Sequence, residues 1–421
     1  MSHFAPRLVS WNMTRRCNLR CGHCYLDANA RSSTDDELTT AEGREFIDQL
    51  ADLCPGSMLI FSGGEPMLRS DLGDLIGHAA RRGLLPVLGT NAVLLTDERA
   101  EKLANSGLVG VGLSLDSVTP AQHDDFRGMP GAWKRTVTAI DTCHRHELAV
   151  QIHTSATAEN YEEIPNLIRF AFDKGAAAFN LFFLVCTGRG EEMTDITPSQ
   201  YESALTSLAS AQVEYEGRLM IRARCAPHFL RVVHGRGEGL APATVGCMAG
   251  TEYFRVTPEG TVTPCPYMPL TAGDLRTDSL AHIWETAPVF DRLRYPMLEG
   301  RCGECEFGVL CGGCRARALA VTGDLMAEDP WCEYQPPPTS LPRHDPVGTP
   351  QWTAEARALL ERMPAALGPM VERGIIAHAR SQGLTTITPE VMSDLRPQGT
   401  TMSALRRTVR PVSKRQAEPP G

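Results

Sequence analysis

Short apolar runs alternate with longer amphipathic stretches from residue 8 to about residue 215. The apolar runs have the length of strands, and residues 58–61 are apolar throughout, as expected for a strand buried on both faces of a parallel sheet. These runs predict six strands, at residues 8–13, 58–61, 85–89, 109–115, 149–154 and 178–184. The amphipathic stretches predict helices between them, which include residues 40–53, 97–105, 132–146 and 161–174.

This alternation predicts an α/β fold, because a helix after each strand returns the chain so that the next strand runs parallel to the first. We expect a partial (β/α)6 TIM-like barrel of parallel strands over residues 1–215. Functional side chains of such a barrel should lie at the carboxyl ends of its strands.

The pattern changes after residue 215. Residues 253–256 and 261–263 predict a hairpin with Gly260 in its turn, inside a cysteine-rich region that predicts a small α+β domain over residues 216–335. Prolines predict an extended linker over residues 336–350. Apolar residues at helical spacing predict a small helical domain over residues 351–402, and residues 403–421 predict a basic, disordered tail.

The chain of 421 residues has a formal net charge of -9, so nucleic acid is not an expected partner. For the basic tail, a nucleic-acid or membrane role is the alternative to a solvated end. The sequence shows no signal peptide and no apolar run of membrane length, which predicts a cytoplasmic protein without a membrane partner. In a reducing compartment, the 14 cysteines favour metal binding over disulfides.

Cys17, Cys21 and Cys24 follow the first predicted strand with the spacing C-x3-C-x2-C. Three thiolates on one loop can bind three irons of a [4Fe-4S] cluster and leave the fourth iron open to a small molecule. The alternative is a zinc loop, which normally needs four ligands. The spacing, with His23 before the last cysteine, resembles the signature of the radical S-adenosylmethionine (SAM) enzymes. That resemblance implies that SAM binds the open iron and is cleaved to a 5′-deoxyadenosyl radical, which takes a hydrogen atom from the substrate.

A second motif, Gly63-Gly64-Glu65-Pro66, follows the second predicted strand. It resembles the GGEP motif of radical SAM enzymes, which implies that Gly63, Gly64 and Glu65 bind the amino group of SAM. The same resemblance implies that polar residues after later strands line the SAM and substrate cavity, although such residues also serve in turns. They are Asn91, Ser114, Asp116 and Thr154. Arg189, in a glycine-rich stretch, is expected either to reach the SAM carboxylate or to lie in a flexible loop.

Eight more cysteines lie between residues 225 and 332 and resemble the SPASM extension of radical SAM enzymes, which binds auxiliary [4Fe-4S] clusters. One implied ligand set is Cys302, Cys305, Cys311 and Cys332. The other is Cys247, Cys265 and Cys314, with Cys225 as the candidate fourth ligand. Without Cys225 that cluster would keep an open iron for substrate. The x2 spacing of Cys311 and Cys314 departs from the usual x3, and zinc is the alternative metal for paired C-x2-C units. His228 and His234 are expected to be surface residues rather than ligands.

The resemblance covers about residues 8–335 and is strongest to enzymes of haem and haem d1 biosynthesis, which remove or trim propionate side chains of iron porphyrins. The tail from Trp352 to Met392 is similar to the small helical domain that ends one subunit of the dark-operative protochlorophyllide reductase. Together these resemblances imply a tetrapyrrole substrate, an electron donor such as flavodoxin or ferredoxin, and an auxiliary cluster that accepts the electron released with carbon dioxide.

Two other functions remain open at this stage. One is a maturase that modifies a ribosomally made peptide, although such enzymes often carry an N-terminal peptide-recognition domain and here the first strand is predicted from residue 8. The other is a non-catalytic iron–sulfur electron carrier or a zinc-stabilised scaffold. Neither of these would need the Gly-Gly-Glu motif or an open iron.

Overall fold

The computed structural model describes residues 4–185, 187–189, 196–236, 246–337, 350–362, 371–372, 375–376, 379 and 384–394. These residues form two compact units, one before residue 338 and one after residue 349. Most of the predicted linker at 336–350 and all of the predicted basic tail at 403–421 lie outside the described residues. No described helix is both long enough and apolar enough to cross a membrane.

One sheet runs through the first unit. Its strands are β1 (Leu8–Asn12), β2 (Met58–Ser62), β3 (Leu85–Thr90), β4 (Gly110–Ser114), β5 (Ala149–Ala156), β6 (Ala178–Phe183), β7 (Met220–Arg224), β8 (Tyr253–Val256), β9 (Thr261–Thr263) and β10 (Gly273–Asp274). They lie in the order β10-β9-β8-β1-β2-β3-β4-β5-β6-β7. The strands from β8 to β7 in this order run parallel, whereas β9 is antiparallel to both of its neighbours.

The predicted parallel α/β fold is confirmed, but the sheet has two more parallel strands than the six predicted. β7 has the sequence Met-Ile-Arg-Ala-Arg, whose arginines conceal it from a search for apolar runs. β8 and β9 form the predicted hairpin. Since β8 also pairs with β1, the sheet continues across the predicted domain boundary at residue 215.

Helices follow most of the strands. Those of the first unit are α1 (Thr40–Leu53), α2 (Leu72–Arg81), α3 (Asp97–Asn105), α4 (Pro120–Arg127), α5 (Ala132–Arg145), α6 (Ile164–Asp173), α7 (Pro198–Glu214), α8 (Phe229–Gly235), α9 (Leu280–Thr286), α10 (Pro288–Arg294), α11 (Gly300–Glu304) and α12 (Arg315–Thr322). The bounds of α1 and α3 are those predicted. Helix α1 begins where expected because Thr39 and Glu42 form a reciprocal capping box.

Helix α1 packs on one face of β1. Trp11 of β1 contacts Phe46 of α1, with ring centroids 5.6 Å apart. Gly43 of α1 permits this approach, because a Cβ atom there would lie 2.4 Å from the Trp11 ring. Side chains alternate along a strand, so Ser10 and Asn12 point to the face of the sheet away from α1.

We call this second face the inner face. Directly paired residues of parallel strands share a face, so the register identifies the residues of the inner face on every strand from β1 to β7. Several of its described residues are polar. They include Ser10, Asn12, Ser62, Ser114, His153, Asn180 and Arg222.

The second unit was predicted to be helical. It contains the helices α13 (Ala354–Glu361) and α14 (Pro389–Asp394), and also two short parallel strands, β11 (Gln351–Trp352) and β12 (Thr386–Ile387). Trp352 was predicted to belong to a helix because of its spacing from later apolar residues, but it lies in strand β11. The unit has its own buried apolar core, formed by Ala356, Leu360, Ile375, Ala379, Ile387 and Met392.

Candidate functional site

Three cysteines come together on the loop that leaves the carboxyl end of β1. Cys17 and Cys21 are buried and Cys24 is half-buried. Burial is the main cause that raises the pKa of Cys17 to about 12, and the neighbouring thiols of Cys21 and Cys24 also raise it. A metal bound here would take these thiols as thiolates, because coordination deprotonates them.

Nitrogen donors point at two of the three sulfur atoms. The Leu19 N–H donates to Cys17 Sγ at 3.4 Å, and Asn91 Nδ2 lies 3.7 Å from the same atom. Arg127 Nη1 lies 3.8 Å from Cys21 Sγ. Hydrogen bonds to the sulfurs stabilise thiolate charge and set the potential of an iron–sulfur cluster. The donor set on this loop therefore fits a cluster with three cysteine ligands.

Arg127 also contacts a residue that the sequence analysis did identify. Its Nε donates to Asp116 Oδ2 at 2.6 Å, so Asp116 is connected to Cys21 through Arg127. Burial alone would raise the pKa of Asp116, but Arg127, with His23 and His123, holds this pKa below its ordinary value. Sequence analysis missed Arg127, because a basic residue in the last turn of a helix is common and α4 itself was not predicted.

Two glycines after β2 let the chain run against the cysteine loop. The Gly64 N–H donates to Thr14 O and the Glu65 N–H to Arg16 O, both at 2.8 Å. A Cβ atom on Gly64 would lie 2.2 Å from Arg16 O. Gly63 has a φ of +134°, and a Cβ atom there would lie 2.6 Å from Thr14 O. Only glycine satisfies both positions.

The side chain of Glu65 is fully buried. Its carboxylate accepts hydrogen bonds from Thr90 Oγ1 at 2.8 Å, from the Asn91 N–H at 3.0 Å and from the Met67 N–H at 3.1 Å. Burial outweighs these bonds and raises the pKa of Glu65 to about 7. A nearby ammonium group would favour the charged carboxylate. Glu65 thus connects the glycine motif to the end of β3.

Ser114 and Thr154 lie on opposite faces of the sheet. Ser114 is on the inner face, paired with His153. Thr154 is the next residue after His153 and points the other way. It is fully buried, and its hydroxyl donates to Leu115 O at 2.6 Å. Of these two predicted residues, only Ser114 therefore lies on the inner face.

Arg189 is hydrogen-bonded to the main chain of the cysteine loop. Its Nε donates to Cys21 O and its Nη2 to Ala28 O, each at 3.1 Å. Its main-chain N–H donates to Asp27 Oδ1 at 2.8 Å. Arg189 was expected either to reach the SAM carboxylate or to lie in a flexible loop, and in this structure its guanidinium binds the main chain of the cysteine loop.

A second group of cysteines packs in one apolar cluster beside β7 and the hairpin. Burial, and then Cys314 and Cys247, raise the pKa of Cys225. The pKa of Cys265 is also raised, first by burial and then by the neighbouring thiols of Cys225, Cys247 and Cys314. Cys225 has a φ of +57°, which is uncommon for a residue other than glycine and persists only where the surrounding structure enforces it. The structure thus brings Cys225 to the other three cysteines.

A third group of cysteines lines a cavity. It consists of Cys302, Cys305, Cys311 and Cys332. Burial, and then Cys302 and Cys332, raise the pKa of Cys311. The Asp329 N–H donates to Cys302 Sγ at 3.5 Å. A cavity surrounded by four thiols with N–H donors to sulfur fits an iron–sulfur cluster.

A buried ion pair joins the second and third groups. Arg317 Nη1 donates to Asp329 Oδ2 at 3.0 Å, and both side chains are almost fully buried. The same carboxylate oxygen accepts from the Cys314 N–H at 2.7 Å, while the Asp329 N–H reaches Cys302. Arg317 Nη2 donates to Cys225 O at 3.1 Å. This pair therefore contacts cysteines of both groups and fixes one group relative to the other.

The expectation that His228 lies at the surface was wrong. His228 is buried, with Nδ1 2.7 Å from Tyr201 Oη and Nε2 3.5 Å from Asp329 Oδ2. Burial lowers the pKa of His228 to about 4, so its ring is neutral. The apolar residues that follow it in α8, among them Phe229 and Leu230, are buried too, and sequence analysis did not extend that signal to His228.

Within the described residues, no three histidine, cysteine, aspartate or glutamate side chains converge as ligands of one metal ion. Cluster ligands need not converge in this way, because each thiolate of a [4Fe-4S] site binds a different iron. The three cysteine groups are therefore compatible with iron–sulfur clusters.

Comparisons with known proteins agree with this geometry. Residues 11–171 match the radical SAM superfamily, residues 247–306 match SPASM, an iron–sulfur cluster-binding domain, and residues 352–396 match the proto-chlorophyllide reductase 57 kD subunit. The chain is 40% identical over 344 residues to an AdoMet-dependent heme synthase of Methanosarcina barkeri, an alignment that covers 79% of this chain and 97% of that protein. It is 32% identical over 357 residues to a pre-heme d1 synthase of Dinoroseobacter shibae, with 77% and 85% covered.

A solved structure supports the fold. Streptococcus suis SuiB bound to S-adenosylmethionine matches with a TM-score of 0.65 and 18% identity over 78% of each chain. At that identity the likeness concerns the fold alone. The sequence matches, the cysteine loop and the Gly-Gly-Glu motif beside it lead to one conclusion: this chain belongs to the radical SAM superfamily and is an enzyme of its SPASM-containing branch that uses SAM and [4Fe-4S] clusters.

Proposed function

We propose that this radical SAM enzyme acts on a tetrapyrrole and removes or trims its propionate side chains, as in haem or haem d1 biosynthesis. The 40% identity to an AdoMet-dependent heme synthase, over 97% of that protein, carries the proposal. The match of residues 352–396 to a family described as a proto-chlorophyllide reductase subunit adds a second link to tetrapyrroles.

In this proposal Cys17, Cys21 and Cys24 hold the SAM-binding cluster. When bound, this cluster supplies the electron that cleaves SAM and so makes hydrogen abstraction from the substrate possible. Arg127 places positive charge beside Cys21 Sγ, and Asp116 holds that guanidinium in position. The proposed SAM-binding residues are Gly63, Gly64, Glu65, Asn91, Ser114 and Asp116. Thr154 and Arg189, which were also expected to line the SAM site, bind main-chain carbonyl oxygens in this structure.

The proposed chemistry also explains a need for further clusters. Loss of a hydrogen atom and of carbon dioxide from a propionate leaves an alkene and releases one electron, which requires an acceptor. Four cysteines around one cavity would hold one such acceptor, and the four that include Cys225 would hold another. An external donor of the flavodoxin or ferredoxin type would supply the electron for SAM cleavage.

The first test is release of 5′-deoxyadenosine by the anaerobically reconstituted, reduced protein, with and without iron porphyrins such as iron coproporphyrin III. We expect one of them to stimulate release. Slow release that no tetrapyrrole stimulates would contradict the proposed substrate and favour a peptide instead.

Two cysteine variants separate the catalytic cluster from the auxiliary ones. We expect Cys21→Ala to abolish SAM cleavage, because Cys21 is one of only three ligands on its loop. We expect Cys305→Ala to keep substrate-free SAM cleavage and to stop substrate turnover. Cys54→Ala is the matched control, since Cys54 caps α1 and belongs to none of the cysteine groups. SAM cleavage that survives in Cys21→Ala, or loss of all iron from Cys305→Ala, would contradict these assignments.

A further inference from the structure

Two arginines of β7 lie without a neutralising carboxylate among the described residues. Arg222 and Arg224 are two residues apart on one strand, so their side chains leave it on the same face. Both are half-buried. In the part of the chain that the structure describes, neither guanidinium has a carboxylate within ion-pair distance.

Two buried arginines of this protein are paired with acids, whereas the buried Arg255, Arg294 and Arg315 donate to main-chain carbonyl oxygens. Arg127 is bound by Asp116 at 2.6 Å, and Arg317 by Asp329 at 3.0 Å. Burial lowers the pKa of Arg222, but a guanidinium remains charged at neutral pH. A partly buried cation without a counter-ion is unfavourable, so an anionic ligand would stabilise it.

The register places Arg222 on the inner face. Ser114 pairs with His153, His153 with Asn180, and Asn180 with Arg222, so these four form one polar row across β4, β5, β6 and β7. Arg224 lies in the next row, toward the carboxyl ends of the strands. The cysteine loop leaves β1 at this same end of the parallel sheet.

Two hydrogen bonds connect Asn180 of this row to residues of the adjacent rows. Asn180 Nδ2 donates to Gln151 Oε1 at 3.0 Å, and this bond turns the Asn180 oxygen toward Arg224, whose Nε donates to it at 3.0 Å. One edge of the Arg224 guanidinium is thereby fixed. Among the described residues, the other guanidinium N–H groups of Arg224 and those of Arg222 have no hydrogen-bond acceptor, so they can bind a ligand.

His153 completes the site. Gly112 makes room for it on the inner face, because a Cβ atom there would lie 2.4 Å from the His153 ring. Burial, followed by Arg224, Arg127 and Arg222, lowers the pKa of His153 to about 3. His153 therefore adds a neutral hydrogen-bonding group beside the two cations.

We propose that Arg222 and Arg224, with His153 beside them, bind a carboxylate side chain of the substrate on the inner face of the sheet. This inference rests on the proposed tetrapyrrole function and specifies how that substrate is held. Guanidinium groups recognise carboxylates through paired N–H···O bonds, which fix orientation as well as affinity. A propionate bound there would anchor the macrocycle while another part of it faces the cysteine loop.

Arg222 is the better residue to test, because Arg224 is adjacent to Cys225 and its replacement could disturb a cluster. The variants are Arg222→Gln, Arg222→Lys and, as the control, Arg169→Gln, which removes the same charge from an exposed position on α6. Each is reconstituted anaerobically with its clusters. The affinities for iron coproporphyrin III, for its tetramethyl ester and for SAM are then measured by absorption titration and equilibrium dialysis.

We expect wild type to bind the free acid more tightly than the ester. Arg222→Gln should weaken binding of the acid by about tenfold to a hundredfold, the range for a lost charged hydrogen bond, and leave ester and SAM binding unchanged. Arg222→Lys should retain part of the preference, and Arg169→Gln all of it.

Equal affinity of wild type and Arg222→Gln for the acid would overturn the carboxylate site and leave the tetrapyrrole function intact. An equal loss for the acid and the ester, or a loss confined to SAM, would also overturn it. If wild type binds no tetrapyrrole and none stimulates 5′-deoxyadenosine release, the proposed function fails and this inference fails with it.

Discussion

Asp329→Asn removes the negative charge of a buried ion pair and keeps the size of the side chain. Its carboxylate lies 3.0 Å from Arg317 Nη1, and both groups are almost fully buried. At this distance two unit charges attract by roughly 5 kcal/mol with an effective dielectric constant of about 20. Breaking a buried pair by removing one partner costs about 3–5 kcal/mol, because the remaining charge is left uncompensated.

We therefore expect Asp329→Asn to lower the free energy of unfolding of the first unit by about 3–5 kcal/mol. The measurement is urea unfolding of the anaerobic, cluster-loaded protein, followed by tryptophan fluorescence. Trp331 is a suitable reporter, since the Arg317 guanidinium carbon lies 3.9 Å from the centroid of its ring. The midpoint should fall by on the order of 1 M urea.

Two further variants make the test specific. Glu98→Gln removes a carboxylate from an exposed pair with Lys102 and should leave the midpoint unchanged. Asp329→Asn combined with Arg317→Met removes both buried charges and should be more stable than the sum of the single losses implies. A loss below about 1 kcal/mol in Asp329→Asn, or strict additivity in the double variant, would refute the reasoning.

Two other predictions follow from close packing. In Gly64→Ala the new methyl group would meet Arg16 O at 2.2 Å, so the loop that begins at Cys17 must shift. We expect loss of loop-bound iron and of SAM binding, measured by iron analysis and equilibrium dialysis, whereas Gly235→Ala, with no atom within 4 Å of the new methyl group, should behave as wild type. Full iron and SAM binding in Gly64→Ala would contradict the close approach. Leu360→Ala removes a side chain from the buried apolar core of the second unit and should destabilise that unit by about 2–5 kcal/mol. Amide hydrogen exchange should become faster over residues 350–394 but not in β1, and unchanged exchange would argue against a separate core in the second unit.

Much of the fold was predictable because it depends on neighbours in the chain. Helix α1 begins at Thr40, as predicted, since its capping box lies within four consecutive residues. The continuous apolar run of β2 marks a strand covered on both faces. The spacing of Cys17, Cys21 and Cys24 and the paired glycines at 63 and 64 are local features as well. Their resemblance to the radical SAM motifs was enough to predict the cofactor class.

Prediction failed where a local pattern has more than one meaning. β7 was missed because its arginines face inward, and a strand with charged residues on alternate positions resembles an exposed segment. Arg127 was missed because a basic residue near a helix end usually serves that helix alone. His228 was misassigned to the surface, since nothing adjacent to it in the chain shows that Tyr201 and Asp329 will bury it.

The sequence by itself determined most of the elements of the first unit, which chemistry the cysteines favour and where glycine is required, because these properties arise within a few residues of chain. The tertiary structure alone decided that β8 pairs with β1, that Arg222 lies on the inner face, and that Arg317 and Asp329 join two cysteine groups. Each of these features joins residues far apart in the chain. Their contact depends on how whole elements pack, since packing and desolvation set the energy of a buried charge and no local sequence pattern reports either one.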